Sequence, residues 1–324
     1  MPERPRLNAN AKGSADESRL VPLTVAGLVC FVAAVALGYG GWLLFGTHER
    51  EEPEPAGQVK QSPPTQTTPE PTPAAAAKET QVNAPAGALP VPGGEVTLGG
   101  EGTGFPLRRV IVNPFLIAET ETTNEQYRDY LRETGRDAPA PWDDGRLMPS
   151  PWKDGEFPPG TALEPVTGVT WQEAADYCRW LSGKLGVTVR LPTEAEWELA
   201  ARGTEKLKYP WGNEWDERAA TSTESGGRVR AVKSYPAGRS PFGAYDMAGN
   251  VWEWVEDEAA DKEGRPRAED GVKLRVIRGG AATEPRGLVT ATSRYWVRAD
   301  RGAAQLGFRY VIETGEGAAK PPAP

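Results

Sequence analysis

The chain has 324 residues, a net charge of -8 and a pI near 5.1. This acidic balance excludes the positive electrostatic footprint of a nucleic-acid-binding protein. The one histidine, His48, lies beside an apolar segment, so neither Ser-His-Asp catalysis nor a histidine-ligated metal site is available to a folded domain. The two cysteines are Cys30, inside that apolar segment, and Cys178, so we expect no disulfide bond.

The first 45 residues predict a membrane anchor. Residues 1–20 form a basic tail, and Val21 to Phe45 contains no charged residue. As a helix this segment reaches roughly 37 Å, enough to cross a hydrocarbon core of about 30 Å. Basic residues precede the segment and acidic residues dominate just after it: Arg4, Arg6, Lys12 and Arg19, then Glu49, Glu51, Glu52 and Glu54.

Because basic flanks favour the cytoplasmic side, we expect the N-terminus inside. The chain would then be a single-pass protein of the cytoplasmic membrane, with its C-terminal domain on the periplasmic or extracellular face. Gly38, Gly40 and Gly41 leave signal-peptide cleavage as the alternative.

Residues 46–90 are rich in Pro, Thr, Gln and Ala and poor in large apolar residues. Such a composition cannot bury enough surface to fold, so we predict a disordered stalk. We predict the same for the tail, residues 315–324.

Residues 91–314 predict one α+β domain. Three capping boxes mark helix starts, each followed by a glycine stop: Thr123 with Gln126 and Gly135, Thr170 with Glu173 and Gly186, and Thr193 with Glu196 and Gly203. Short strands are predicted in GEVTLGG, RRVIVNPFLIAE, VTVRLP, KLRVIRGG and LGFRYVIE. No strand-helix-strand rhythm runs through the segment, so we expect a compact α+β fold with little regular secondary structure.

The stretch YDMAGNVWEWVEDE, Tyr245 to Glu258, allows three interpretations. A glycine turn between two acids supplies two carboxylates and two carbonyls, the oxygen ligands that calcium prefers. Alternatively, Asp246 or Glu253 pairs with a buried arginine while Trp252 and Trp254 enter the core. A glycosidase-like pair of catalytic carboxylates is the third interpretation.

The segment RYWVRADR, Arg294 to Arg301, interleaves aromatic residues with arginines. It fits either a ligand clamp or a strand whose arginines neutralise nearby acids, and the pattern favours the strand. Cys178 lies between aromatic residues on the second predicted helix, as a small buried side chain would.

Seven blocks together resemble one family. They are TTNEQYRDYL, PVTGVTWQEAADYCRWLS, VRLPTEAEWELAARG, YPWGNEWD, FGAYDMAGNVWEWVED, VIRGG and LGFR. In this order they are similar to the formylglycine-generating enzymes, the sulfatase-modifying factors. The resemblance covers nearly all of residues 91–312 and implies a variant C-type-lectin-like fold.

The resemblance also implies a structural calcium site. Its ligands would be the Asp246 side chain, the Gly249 and Val251 carbonyls and the Glu253 carboxylate. Active enzymes of this family carry two copper-binding cysteines shortly after the RGG block, and this chain has no cysteine there. Because Cu(I) requires soft ligands, we expect no copper and no oxidase reaction by the family mechanism.

We therefore predict a membrane-anchored, non-catalytic binding module. By analogy with the family's active groove, its ligand would contact Trp252, Arg278, Arg294, Tyr295 and Trp296. That groove recognises an extended peptide, so the resemblance favours a peptide or protein ligand over a glycan. A divergent oxidase or other enzyme acting on a protein substrate is the alternative, and an assembly component of an envelope complex is a third possibility.

Overall fold

The computed structural model describes residues 87–100, 105–143, 145–261 and 263–314. The predicted basic tail, membrane span and C-terminal tail, and nearly all of the predicted stalk, lie outside these residues. Within the described part of the chain, no helix has the length and apolar character needed to cross a membrane. The first strand begins at Ala88, so the fold includes three residues that the sequence analysis assigned to the stalk.

Three α-helices begin and end where the capping boxes and glycine stops predict. Helix α1 is Asn124–Thr134, α2 is Trp171–Leu185 and α3 is Glu194–Arg202. Each N-cap threonine accepts a hydrogen bond from the backbone N–H three residues later, and the Gln or Glu there reaches back to the cap. These reciprocal bonds satisfy amides that a helix start leaves open.

The strands are short. They are β1 Ala88–Val91, β2 Gly94–Gly100, β3 Phe105–Val112, β4 Phe115–Ala118, β5 Trp142–Asp143, β6 Arg146–Leu147, β7 Val189–Arg190, β8 Trp252–Glu258, β9 Ala268–Glu269, β10 Val272–Arg278, β11 Arg294–Arg298, β12 Leu306–Phe308 and β13 Val311–Glu313. Short 3-10 helices occupy Thr223–Ser225, Pro236–Gly238 and Arg286–Leu288. Long irregular loops connect them, as the sequence predicts for an α+β fold.

Two sheets carry the domain. One has the order β1-β4-β13-β7, and the other has the order β11-β10-β8-β12 with β9 paired to β10. Strands β8 and β12 are parallel, whereas β10 is antiparallel to both β8 and β11. Strands β2–β3 and β5–β6 form separate antiparallel hairpins.

Two large hydrophobic clusters and a small third one lie in the interior of the described structure. Trp197 of α3 is fully buried in the first, and Trp254 of β8 is fully buried in the second, which also contains Tyr127, Tyr177 and Phe308. The Trp254 indole donates a hydrogen bond to the Val169 carbonyl at 2.9 Å. The aromatic residues therefore make the core, and their polar edges join it to the loops.

Removing one capping box tests this account of the helices. Replacing Thr193 by Ala leaves a backbone amide of α3 without its acceptor, so we expect the free energy of unfolding to fall by about 1 kcal/mol. Urea unfolding measures the change. Thr134→Ala in the last turn of α1 is the control, with an expected change within about 0.5 kcal/mol; equal losses would contradict a specific role for the box.

Candidate functional site

The loop before β8 is a tight turn, as the sequence predicts. Asp246 and Asn250 adopt left-handed backbone conformations with φ of 57° and 60°, and Gly249 has φ of 91°. A Cβ at Gly249 would lie 2.5 Å from the Thr221 carbonyl oxygen, so only glycine fits there. The turn delivers the chain into β8 with Glu253 directed into the interior, where it is fully buried.

Glu253 forms a bidentate ion pair with Arg309. Arg309 Nε donates to Glu253 Oε2 and its Nη2 donates to Oε1, both at 2.7 Å, and the Trp197 indole donates to Oε2 at 2.8 Å. Burial alone would lower the pKa of Arg309, but Glu253 raises it above its ordinary value. The pairing of an acid with a buried arginine, one interpretation of this stretch, therefore holds for Glu253.

Two further carboxylates lie buried beside this pair. Asp246 Oδ2 accepts a hydrogen bond from the Lys233 backbone N–H at 3.0 Å, and Glu121 Oε1 accepts one from Asn250 Nδ2 at 3.2 Å. Burial raises the pKa of Asp246 to about 6. Burial, followed by the Asp246 charge, raises the pKa of Glu121 well above its usual value. The second oxygen of Glu121, Oε2, is buried and has no hydrogen-bond partner in the described structure.

Glu121 was not among the residues predicted from the sequence to form a site. It stands one residue before the block TTNEQYRDYL and two before the N-cap of α1. Neither periodicity nor capping marks an acid at that position as buried. The contact with Asn250 joins residues 129 apart in the chain, and local patterns carry no signal for such a contact.

The predicted calcium ligands lie together at this loop. Asp246, Gly249 and Val251 belong to the turn, and Glu253 follows on β8. Among the described residues, no group of three or more His, Cys, Asp or Glu side chains could hold a metal ion. A site here would therefore combine two carboxylates with carbonyl oxygens, and the orphaned Glu121 Oε2 is an oxygen of the kind that calcium binds. Calcium binding stays a prediction.

A pocket of about 350 Å³ lies along β11, and we call it the β11 pocket. Tyr295 and Trp296, both predicted ligand residues, line it with their rings stacked 5.4 Å apart. Trp142 forms another part of the wall, and the Arg301 guanidinium lies 4.9 Å above its ring. The remaining lining residues are Asp143, Gly145, Glu269, Leu274, Val297, Arg298, Gly302, Ala303 and Leu306. Trp142 and Leu306 were not predicted as pocket residues, because they come from a distant hairpin and from β12.

The structure places the other three predicted ligand residues elsewhere. Arg278 is 1% exposed and forms ion pairs with Glu194 and Glu198 of α3. Arg294 donates from Nε to Glu194 Oε1. The Trp252 indole donates to Glu284 Oε1 at 3.3 Å, and its ring packs against the second core cluster.

For Arg278 this is a correction. Three arginines, Arg278, Arg294 and Arg108, surround Glu194. Burial alone would raise the pKa of Glu194, but the positive charges of these arginines lower it below its ordinary value. Arg278 therefore belongs to an interior ion-pair network and is too deeply buried to contact a ligand. The interpretation of RYWVRADR as a strand whose arginines neutralise acids fits β11, since Arg298 also pairs with Asp270 and Asp300.

Cys178 is a free thiol with 1% exposure on the buried face of α2. Burial raises the pKa of this thiol far above its usual value, so the reactive thiolate is strongly disfavoured. The residue packs as a small apolar side chain, in agreement with the sequence analysis.

Comparison with known proteins identifies the scaffold. Residues 73–314 match the family model described as "Sulfatase-modifying factor enzyme 1-like domain". A serine/threonine-protein kinase pkn1 of Chlamydia pneumoniae is 36% identical over 208 residues, which are 59% of this chain but 32% of the kinase. The chain thus spans about a third of the length of that relative.

Two relatives match over most of their length. The formylglycine-generating enzyme of Thermomonospora curvata is 30% identical over 69% of this chain and 92% of its own length. The inactive C-alpha-formylglycine-generating enzyme 2 of Bos taurus is 30% identical over 72% of this chain and 88% of its own length. Among solved structures, PvdO from Pseudomonas aeruginosa superposes with a TM-score of 0.58 at 26% identity, covering 70% of this chain and 94% of that one.

Breaking the buried ion pair tests its structural role. Arg309→Met leaves Glu253 buried without its counter-charge, so we expect a loss of about 3–5 kcal/mol in the free energy of unfolding. Adding Glu253→Gln to that variant removes the stranded charge and should restore part of the loss, which urea unfolding measures.

Arg218→Met is the control, because its ion pair with Asp216 is exposed on the arginine side and such pairs contribute about 0–1 kcal/mol. A loss below about 1 kcal/mol for Arg309→Met would contradict the role assigned to this pair.

Proposed function

We propose that this chain, which belongs to the sulfatase-modifying factor enzyme 1-like family, is a non-catalytic binding module whose ligand occupies the β11 pocket. The observation that carries the proposal is the pocket itself. It combines a concave shape, three aromatic side chains and charged groups at one edge of a sheet. Its volume of about 350 Å³ lies at the lower end of the range for ligand sites.

The composition around the pocket supports a non-catalytic role. Residues 279–305 contain no cysteine, histidine or methionine, so the segment has no soft ligand for Cu(I). Cys178 is buried on α2. The bovine relative carries the description "inactive". These observations favour binding without oxidation of a substrate thiol.

We propose a polypeptide as the ligand. Tyr295 is 52% exposed, and Trp142 and Trp296 stand beside it partly buried. Tyr and Trp are enriched among the residues that carry most of the binding energy of protein contacts. The apolar floor of Leu274, Ala303 and Leu306 suits an apolar side chain of the ligand, and the rim charges of Asp143 and Glu269 suit its backbone amides.

We also propose a cellular setting for this domain, which the N-terminal sequence supports. The uncharged segment Val21 to Phe45 would anchor the chain in the cytoplasmic membrane, and residues 46–90 would hold the domain outside. The domain would then meet proteins of the envelope or secreted polypeptides. The loop before β8 would bind calcium as a structural ion.

Binding of a displayed peptide library to the full-length chain in mild detergent tests the ligand site. Truncating an aromatic anchor typically costs about 2 kcal/mol, so Trp142→Ala and Tyr295→Ala should each weaken the selected peptide roughly 30-fold. Leu163→Ala is the control, since Leu163 is 54% exposed and does not line the pocket. Unchanged affinity in both pocket variants would refute the site, and selection of glycans alone would refute the ligand class.

Protease accessibility tests the proposed setting. Protease added to intact spheroplasts should remove the domain, because the predicted orientation puts it outside the cytoplasmic membrane. A cytoplasmic protein of the same cells is the control for leakage. Full protection of the domain in sealed spheroplasts would reverse the orientation.

The alternative is a divergent oxidase, favoured by the similarity to the Thermomonospora curvata enzyme. Incubation of the chain with a sulfatase-motif peptide, copper and oxygen distinguishes the two. Under the binding proposal no aldehyde forms on the peptide cysteine. Aldehyde formation above a no-protein control would favour the oxidase.

A further inference from the structure

Three acidic side chains lie around Arg309, which carries a single positive charge. Glu121 and Glu253 are fully buried, Asp246 is 8% exposed, and all three surround one fully buried guanidinium. The bidentate pair with Glu253 uses that positive charge. Two carboxylates, Glu121 and Asp246, are therefore left in the interior without an ion-pair partner among the described residues.

Neighbouring basic side chains do not form ion pairs with these two carboxylates in the described structure. Lys233 approaches Asp246 through its backbone N–H, while its Nζ pairs with Glu119 at 2.5 Å. The Arg239 guanidinium lies over the Tyr245 ring at 4.6 Å. An uncompensated buried carboxylate costs several kcal/mol, so a cation bound beside these two side chains would remove that cost.

One oxygen of the cluster is available for a ligand. Asn250 holds Glu121 in place by donating to Oε1, and Asn250 is itself fixed because its Oδ1 accepts the Arg230 backbone N–H at 2.9 Å. Glu121 Oε2 has no hydrogen-bond partner in the described structure, although it is buried. By contrast, both oxygens of Glu253 already accept hydrogen bonds from Arg309.

We infer that Glu121 and Asp246 supply the two carboxylates of the predicted calcium site, and that Glu253 serves as the counter-ion of Arg309. A divalent cation would neutralise the two carboxylates that Arg309 leaves uncompensated. Carbonyl oxygens of the Gly249 to Val251 turn would complete a set of hard oxygen ligands. Glu121 thus joins the site in the place that the sequence analysis gave to Glu253.

Calcium calorimetry on the full-length chain in mild detergent tests the inference. The wild-type chain should bind one calcium ion and melt at a higher temperature with calcium than with chelator. Glu121→Gln removes a ligand charge while keeping an acceptor for Asn250, so we expect at least tenfold weaker binding and a smaller calcium-dependent shift. Glu119→Gln is the matched control, because Glu119 lies two residues from Glu121 and pairs with Lys233 instead, and this variant should bind calcium as the wild type does.

Glu121→Asp keeps the inference testable if Glu121→Gln does not fold. This variant retains the charge on a shorter side chain and should bind calcium more weakly than the wild type. Wild-type affinity in either Glu121 variant, or no calcium heat from the wild-type chain, would overturn the assignment. Peptide binding at the β11 pocket is measured separately, so failure of this inference leaves the proposed function to its own experiment.

Discussion

The buried pair of Arg309 and Glu253 joins parts of the domain that share little regular structure. Arg309 follows β12 and also donates to the carbonyls of Ala118, at the end of β4, and Tyr245, at the start of the turn. Glu253 lies on β8 and receives the Trp197 indole of α3. One guanidinium thus connects both sheets to a helix and a loop. Because it is buried, each of these contacts depends on the others remaining in place.

A second buried network determines which side chains remain for a ligand. Glu194 and Glu198 of α3 engage Arg278 of β10, and Glu194 also engages Arg294 of β11. Arg278 and Arg294 are therefore structural. Tyr295 and Trp296 of β11 line the pocket, and Trp296 also packs against the first core cluster and lies under the Arg267 guanidinium. Buried ion pairs thus hold the domain together. We propose that a polypeptide contacts the aromatic side chains that line the β11 pocket.

Local patterns were sufficient to predict the helices and most strands. A capping box is a contact between residues three apart, so the sequence shows it directly, and all three boxes form. The contacts that bury Arg278 and Glu121 could not be predicted in the same way. Arg278 meets acids 80 and 84 residues away, and Glu121 meets an amide 129 residues away. Residues 306–313, expected as one strand, divide on either side of Arg309 into β12, which pairs with β8, and β13, which pairs with β4 and β7 of the other sheet.

Site-directed photo-crosslinking in living cells is the most direct test of the central claim that a polypeptide binds at the β11 pocket. A photoreactive phenylalanine analogue would replace Tyr295 in one strain and Leu163, outside the pocket, in another. The account predicts a discrete, protease-sensitive adduct from position 295 that position 163 does not give, and that Trp142→Ala weakens. No adduct from position 295, or the same adduct from both positions, would contradict it.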